Sequence, residues 1–164
     1  DALPICAGTE NVPGIVGYGA AAARANASMK ERTDKEIQIR DHMIQRIETE
    51  IPYVKVNGDR VKRLPNNVNV SFQFVEGESL LLMLDNYGIC ASSGSACTSG
   101  SLDPSHVLLA IGLPHEIAHG SLRMTLSEET TMEDVDFVID RLKEIVEHLR
   151  NMSPLYEDFI KKHK

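Results

Sequence analysis

The sequence predicts an α/β (α+β) fold with a few-stranded mixed sheet flanked by helices. Residues 67–72 and 121–126 each alternate apolar and polar side chains, as half-buried strands do. Apolar residues at helical spacing occupy segments before, between and after these two strands. Strand and helix patterns that interleave along one chain favour a mixed architecture over an all-helical bundle or an all-strand sandwich.

The composition is that of an ordinary soluble globular chain: 164 residues, of which 42% are hydrophobic and 25% charged. The net charge of −7 argues against a nucleic-acid-binding face and against an anionic membrane surface, because both partners attract basic proteins. An aromatic content of 5% without Trp also disfavours platforms for base stacking. No apolar stretch is long enough to span a bilayer.

The three cysteines, Cys6, Cys90 and Cys97, are an odd number without the spacing of a disulfide framework. We therefore expect a reducing compartment and a cytoplasmic location. The N-terminus lacks the pattern of a secretory leader. It also begins at Asp1 rather than at Met, which we interpret as the sign of a fragment.

The first predicted element is a long helix over residues 15–51. Pro13-Gly14 marks a turn before this helix, and Pro52 ends it. Strands are then predicted at residues 53–56 and 67–72.

A helix is predicted over residues 76–87, and a brief buried strand at residues 89–91. Residues 92–101 are almost entirely small and polar, which predicts a loop.

The C-terminal third is predicted to contain three helices and one strand. Residues 103–112 form the first helix, because an acidic N-cap is followed by proline at the first helical position. The strand at residues 121–126 follows. A long helix then begins at Thr130 or Thr131, and a short helix over residues 153–160 completes the chain.

Cys97 is the residue whose surroundings most favour chemistry. It lies in the middle of the small, polar loop, and an accessible thiol can act as a nucleophile when a neighbouring group lowers its pKa or accepts its proton. Cys90 lies in the predicted apolar strand, where a free cysteine usually packs as a small hydrophobic residue. From the residues alone, a reactive and an inert role for Cys97 are equally open.

Arg123 lies in an otherwise apolar predicted strand, so its guanidinium needs a partner. That partner is either a carboxylate of the protein or an anionic ligand held by two hydrogen bonds. Without further context, the carboxylate of the protein is the favoured interpretation.

Metal and nucleotide motifs are weak or missing in this sequence. Cys90 and Cys97 do not form a Cys-x-x-Cys pair, and His106, His115 and His119 are expected to be caps or surface residues, so we predict no metal site. No Gly-x-Gly-x-x-Gly follows a strand, and neither a Gly-x-Ser-x-Gly elbow nor a Walker A loop occurs.

The segment SSGSACTSGSLDPSHVL, residues 92–108, closely resembles the active-site cysteine loop of the pyridoxal-phosphate-dependent cysteine desulfurases of the NifS/IscS type. These enzymes are class V aminotransferases of fold type I. The resemblance continues in AHGSLRMTL (118–126), GTENVPG (8–14) and EGESLL (76–81). It covers the chain from Ala7 to the tail.

The resemblance implies that the chain is the C-terminal portion of such an enzyme. Residues 1–20 would be a remnant of the large cofactor-binding domain, and residues 21–50 a long connecting helix. Residues 51–164 would form the small C-terminal domain, with the catalytic cysteine loop at residues 92–103. The first six residues match nothing in the family, so no role is assigned to Cys6.

The resemblance also implies roles for three residues. Cys97 would be the catalytic nucleophile, which takes the sulfur of L-cysteine as a persulfide and leaves L-alanine. Arg123 would bind the carboxylate of the substrate. Thr9 would contact the phosphate of the cofactor in the neighbouring subunit, which implies a homodimer. An iron–sulfur scaffold protein of the IscU or NifU type would then receive the sulfur.

One feature of the family is missing from this sequence. The lysine that carries the cofactor lies in a Ser-x-His-Lys setting, and none of the eight lysines here has that setting. We therefore expect pyridoxal 5′-phosphate to be the cofactor of the complete protein, and the chain alone to be inactive. The alternatives are a non-enzymatic persulfide carrier or partner-binding module, and a structural module with an inert cysteine.

Overall fold

A computed structural model describes residues 9–93 and 104–163, in which helices pack on a four-stranded sheet. The strand order is β1-β2-β4-β3. In chain order the elements are α1 (Val12–Glu50), β1 (Val54–Val56), β2 (Asn67–Phe72), α2 (Gly77–Asp85), β3 (Ser92–Ser93), α3 (His106–Ala110), α4 (His115–His119), β4 (Ser121–Thr125), α5 (Met132–Asn151) and α6 (Pro154–Lys162).

Each of the three described strand pairings is antiparallel, so the expectation of a mixed sheet is corrected in this respect. The reason lies in the path between β2 and β4. The last residue of β2, Phe72, donates its backbone N–H to the carbonyl of Gly120, which directly precedes β4 (2.8 Å). The chain therefore re-enters the sheet at the end where β2 leaves it, and β4 runs in the opposite direction.

The main hydrophobic core of the described residues fills the space between the sheet and the helices, and a second, small cluster joins Leu108, Leu113 and Ala118. Alternate residues of β2 and β4 point into the main core, which is the period-two pattern of a sheet with one buried face. The core residues contributed by the central strands and by α1, α2 and α5 are Val68, Val70, Phe72, Leu122, Met124, Ile39, Met43, Ile44, Ile47, Leu80, Leu84, Val135, Ile139, Leu142, Ile145 and Val146.

The long helix α1 has two parts with different environments. All of its buried residues lie at or after Glu36, whereas Val12, Ile15, Val16 and Tyr18 are exposed. The helix begins three residues earlier than predicted. Asn11 caps it by accepting a hydrogen bond from the backbone of Gly14 (3.1 Å), and proline is tolerated in a first helical turn.

An ion-pair network joins α1 to α5. Arg46 of α1 donates to Asp136 (2.9 Å) and Asp140 (2.9 Å) of α5 and also to Glu50 on its own helix. His42 contacts Asp136 through Nε2 at 2.7 Å. The hydrogen bonds that Arg46 donates to the three carboxylates raise its own pKa. The bond from Arg46 to Glu50 lowers the pKa of Glu50 to about 2.

Two predicted elements are wrong in position. Residues 89–91 are not a strand. Gly88 has a φ of +71°, which turns the chain back toward α2, and the N–H of Ile89 then donates to the carbonyl of Leu84 in that helix (3.1 Å). The strand is Ser92–Ser93 instead, within the predicted loop. The next helix begins at His106 with Ser105 as its N-cap. The predicted cap at Asp103 lies outside the described residues.

The other predicted elements are confirmed. The strand at residues 67–72 has the predicted bounds, and the strands at residues 53–56 and 121–126 each lose one terminal residue. Thr131 caps α5: its hydroxyl accepts from the N–H of Asp134 (3.1 Å), and the Asp134 carboxylate accepts from the N–H of Thr131 (2.9 Å).

Candidate active site around Arg123

Arg123 lies at the centre of β4, with its side chain on the face of the sheet opposite the core. Its neighbours Leu122 and Met124 point into the core, whereas Arg123 is exposed, as the alternation of a strand requires. Its register partners are Asn69 on β2 and Ser92 on β3. The guanidinium is therefore flanked by polar residues on both neighbouring strands.

No carboxylate forms an ion pair with Arg123 among residues 9–93 and 104–163. The ion pairs of this part of the chain lie on α1, α5, α6 and the loops, and none includes β4. The favoured interpretation from sequence, a carboxylate of the protein as partner, thus finds no support in the described residues. An exposed guanidinium in this setting is able to bind an anionic ligand with two hydrogen bonds.

The pairing of β3 with β4 brings the start of the cysteine segment beside Arg123. Ser92 is the register partner of Arg123, and Ser93 pairs with Leu122. Cys97 lies outside the described residues, as does the rest of the segment up to residue 103. The segment resumes at Pro104 and Ser105, which are both buried.

Two glycines hold the residues before β4 against the turn that follows β2. A Cβ on Gly120 would lie 2.1 Å from the carbonyl oxygen of Phe72 and 2.7 Å from that of Val75. A Cβ on Gly77 would lie 2.9 Å from the carbonyl oxygen of His119. Both close approaches are between backbone segments, so only glycine fits at these two positions. They fix the point at which β4 begins.

A buried polar cluster lies on the same face as Arg123 and was missed by sequence reasoning. Asn57 is 4% exposed, and its amide donates to Asn69 Oδ1 (2.7 Å) and to Ser71 Oγ (2.9 Å). Ser71 and its register partner Ser121 are also buried. The spacing of Asn67, Asn69 and Ser71 carries the signal, since it predicts a polar outer face for β2.

The remaining candidate residues are spread over the chain. Thr9 is exposed and lies just before the N-cap of α1. Cys90 is an exposed thiol, so the prediction that it packs in the core is wrong. The backbone N–H of Ile89 bonds to the end of α2, so residues 89–91 do not form the buried strand that was expected to cover Cys90. No group of three metal-binding side chains occurs in the part of the chain that the structure describes.

The sequence matches the aminotransferase class-V family over residues 3–138, which is most of the chain.

This chain belongs to the aminotransferase class-V family.

Three similar curated relatives are named as cysteine desulfurases. The chain is 55% identical over 157 residues to a cysteine desulfurase IscS of Clostridium botulinum, covering 94% of this chain and 40% of the relative. It is 56% identical to a cysteine desulfurase IscS of Methanosarcina thermophila, covering 91% of this chain and 37% of the relative. A cysteine desulfurase of Nostoc is 53% identical, with 93% and 38% covered. The chain thus spans about 40% of the length of these curated relatives.

Solved structures support the class V assignment at the level of the fold. A NifS-like protein superposes with a TM-score of 0.75 at 30% identity, over 87% of this chain and 35% of that protein. A NifS-like protein from Rickettsia africae gives the same TM-score at 30% identity, over 86% and 36% of the two chains. The predicted α/β fold and the resemblance to NifS/IscS-type enzymes are confirmed.

Proposed function

We propose that this chain is the part of a pyridoxal-phosphate-dependent cysteine desulfurase that carries the sulfur-accepting cysteine and the substrate-binding arginine. The observation that carries the proposal is the register of β3 on β4, which sets the start of the cysteine segment beside Arg123. The names and identities of the relatives support the same activity. The product would be L-alanine and a persulfide on Cys97.

Arg123 binds the α-carboxylate of L-cysteine in this proposal. Its exposed guanidinium offers the fork of N–H donors that matches a carboxylate, and no acidic side chain of the described residues forms an ion pair with it. Asn69 and Ser92, the register partners of Arg123, would surround the bound carboxylate with further hydrogen-bonding groups. Binding at Arg123 would orient the substrate so that its sulfur is presented to the cysteine segment.

Cys97 accepts the sulfur atom of the substrate. It follows Ser93 by four residues, so its Cα can lie at most about 14 Å from that of Ser93. In the balanced reaction, a bond forms between the sulfur of Cys97 and that of L-cysteine, and the carbon–sulfur bond of the substrate breaks. A proton takes the place of sulfur on that carbon, so the thiol and L-cysteine become the persulfide and L-alanine.

The residues of this chain fit one part of the cofactor. Thr9, exposed two residues before the N-cap of α1, suits a contact with the phosphate of a pyridoxal group held in a neighbouring subunit. No lysine of this sequence lies in the Ser-x-His-Lys setting, so attachment of the ring would depend on a lysine outside this sequence. When bound, the pyridoxal ring supplies the electron sink for carbanion chemistry.

The proposal extends to the partners and location of the complete protein. Contact of Thr9 with a neighbouring site implies a homodimer, and an iron–sulfur scaffold protein of the IscU or NifU type would receive the persulfide sulfur. Among the described residues, no helix combines the length and the apolar composition that a membrane span requires. A cytoplasmic location remains part of the proposal.

The test uses a fusion of the large domain of the Clostridium botulinum relative to residues 8–164 of this chain. Alanine release from L-cysteine is measured for the parent fusion, for Cys97→Ser and for the matched control Cys90→Ser. We expect Cys97→Ser to abolish alanine release and Cys90→Ser to retain it, because the proposal assigns sulfur transfer to Cys97 alone. Activity that survives in Cys97→Ser would contradict the assignment.

A second pair of variants tests the arginine. Arg123→Ala removes the proposed carboxylate contact. If the ion pair is desolvated in the complete enzyme, this change should weaken substrate binding by roughly 2–5 kcal/mol, seen mainly as a higher KM for L-cysteine. Thr125→Ala is the matched control, since Thr125 is exposed on the same face of β4 two residues later. An unchanged KM in Arg123→Ala would refute this role.

A further inference from the structure

The helix α4 places two imidazole rings side by side. His115 is its first residue and His119 its last, and residues four apart lie on the same face of a helix. The ring centroids are 4.9 Å apart, and the ring planes are inclined at 61°. His115 is exposed and His119 half-buried, so the pair is open to solvent on one side.

The sequence alone predicted no metal site at these histidines, but the pairing of the two rings changes that expectation. We propose that His115 and His119 form a site for a divalent first-row transition metal ion of the nickel, copper or zinc class. Metal–nitrogen bonds of roughly 2.0–2.1 Å require the two ligating nitrogens to lie about 3 Å apart. Rings whose centroids are already 4.9 Å apart reach that separation by small rotations about their side-chain bonds. Imidazole nitrogen is a preferred ligand of these three ions.

The sequence of α4, His-Glu-Ile-Ala-His, also matches the His-Glu-x-x-His pattern of zinc proteases. A catalytic zinc site of that kind is not favoured for α4. A catalytic zinc needs a third protein ligand, and no set of three metal-binding side chains occurs within residues 9–93 and 104–163. Within the described residues the pair therefore forms a two-ligand site, with water completing the coordination sphere.

A bound ion would bridge the two ends of α4. The helix has five residues, and the two ligands are its first and last. One bound ion would therefore link both ends of the helix and hold its single turn in place. Because an unfolded chain does not hold the two rings together, the ion binds the folded state preferentially and stabilises it. The stabilised segment leads directly into β4 through Gly120.

The test is a calorimetric titration of the full chain with NiCl₂ under reducing conditions. Loss of either imidazole converts a two-point contact to a one-point contact, so His115→Gln and His119→Gln should each weaken nickel binding by roughly tenfold or more. His148→Gln is the matched control. His148 is an exposed helical histidine with no second histidine within four residues.

Thermal unfolding gives a second readout on the same four proteins. Nickel should raise the Tm of the parent chain and of His148→Gln, and raise it less in the two α4 variants. Circular dichroism without metal checks that each variant is folded. Nickel affinity that is unchanged in both α4 variants, or lowered equally in His148→Gln, would overturn the proposal.

Discussion

At the scale of single residues, the position of Arg123 depends on Gly120. This glycine precedes β4, and its Cα approaches the carbonyl oxygens of Phe72 and Val75 closely enough to exclude any Cβ. Its own carbonyl accepts the backbone N–H of Phe72 (2.8 Å). The end of β2 and the start of β4 are therefore joined backbone to backbone, which sets the register that pairs Arg123 with Asn69.

Gly120→Ala should destabilise the protein strongly. The new methyl group would lie 2.1 Å from a backbone oxygen that cannot move without breaking the β2–β4 pairing. We expect the free energy of unfolding, measured by urea denaturation, to fall by about 3 kcal/mol or more.

Gly19→Ala is the matched control for this substitution. Gly19 lies within α1, and a Cβ there would meet nothing within 4 Å. The same chemical change should therefore raise the free energy of unfolding by roughly 0.5–1 kcal/mol through helix propensity. Equal effects at the two glycines would show that the close approach at Gly120 has no energetic weight.

The sequence predicted the environment of a residue correctly where neighbours in sequence determine it, and incorrectly where contacts distant in sequence determine it. Arg123 could be assigned to a strand because its neighbours alternate in polarity over six residues. Cys90 could not be assigned correctly, because its exposure follows from the turn through Gly88 that comes after α2. The buried amide of Asn57 was also missed, since its partners lie 12 and 14 residues away on β2.

At the scale of elements, the contact between α1 and α5 combines apolar packing with the network centred on Arg46. The guanidinium of Arg46 bonds carboxylates on both helices, and Lys143 of α5 also reaches Glu50 (3.2 Å). The hydrogen bond from Arg46 is the main cause that lowers the pKa of Glu50 to about 2. The hydrogen bond with His42 is the main cause that lowers the pKa of Asp136.

The lowered pKa of Glu50 predicts a loss of stability in acid. Its folded pKa of about 2 is below the ordinary value of 4.5, so its contribution is fully present above pH 4.5. That contribution is lost progressively as the pH falls from 4.5 toward 2. We expect Glu50→Gln to lower the unfolding free energy near neutral pH and to flatten its decline across this window.

Glu147→Gln is the control for Glu50, since Glu147 is an exposed carboxylate on α5. Its replacement should leave the pH profile of unfolding almost unchanged. A Glu50→Gln profile parallel to that of the parent protein would mean that the network does not couple folding to the ionisation of Glu50.

The two short elements near the site, β3 and α4, could not be predicted from local pattern. β3 has two residues and exists only through its pairing with β4, some 30 residues later. α4 is a single turn without an apolar period. The long helices α1 and α5 were predictable because each repeats its apolar face over several turns.

At the scale of the whole molecule, the described residues form a main core between the sheet and the helices and a small second cluster around Leu108, Leu113 and Ala118, and the chain supplies part of the proposed site. Arg123 and the cysteine segment are contributed by this chain, which spans about 40% of the length of its curated relatives. We therefore expect the isolated chain, incubated with pyridoxal phosphate and L-cysteine, to release no alanine. Its intact mass should show no cofactor-dependent sulfur adduct. An adduct that requires both the cofactor and Cys97 would contradict this expectation.

The location of the transferred sulfur tests the central claim most directly. The fusion with the Clostridium botulinum large domain would be treated with L-cysteine, alkylated and digested with trypsin. Cys90 and Cys97 then lie on one peptide, because no Lys or Arg occurs between Arg63 and Arg123, so the extra sulfur is located by fragmenting that peptide in the mass spectrometer. The proposal predicts one extra sulfur atom on the fragment ions that contain Cys97 and none on those that contain only Cys90. Extra sulfur on Cys90, or on no cysteine of this chain while alanine is released, would contradict it.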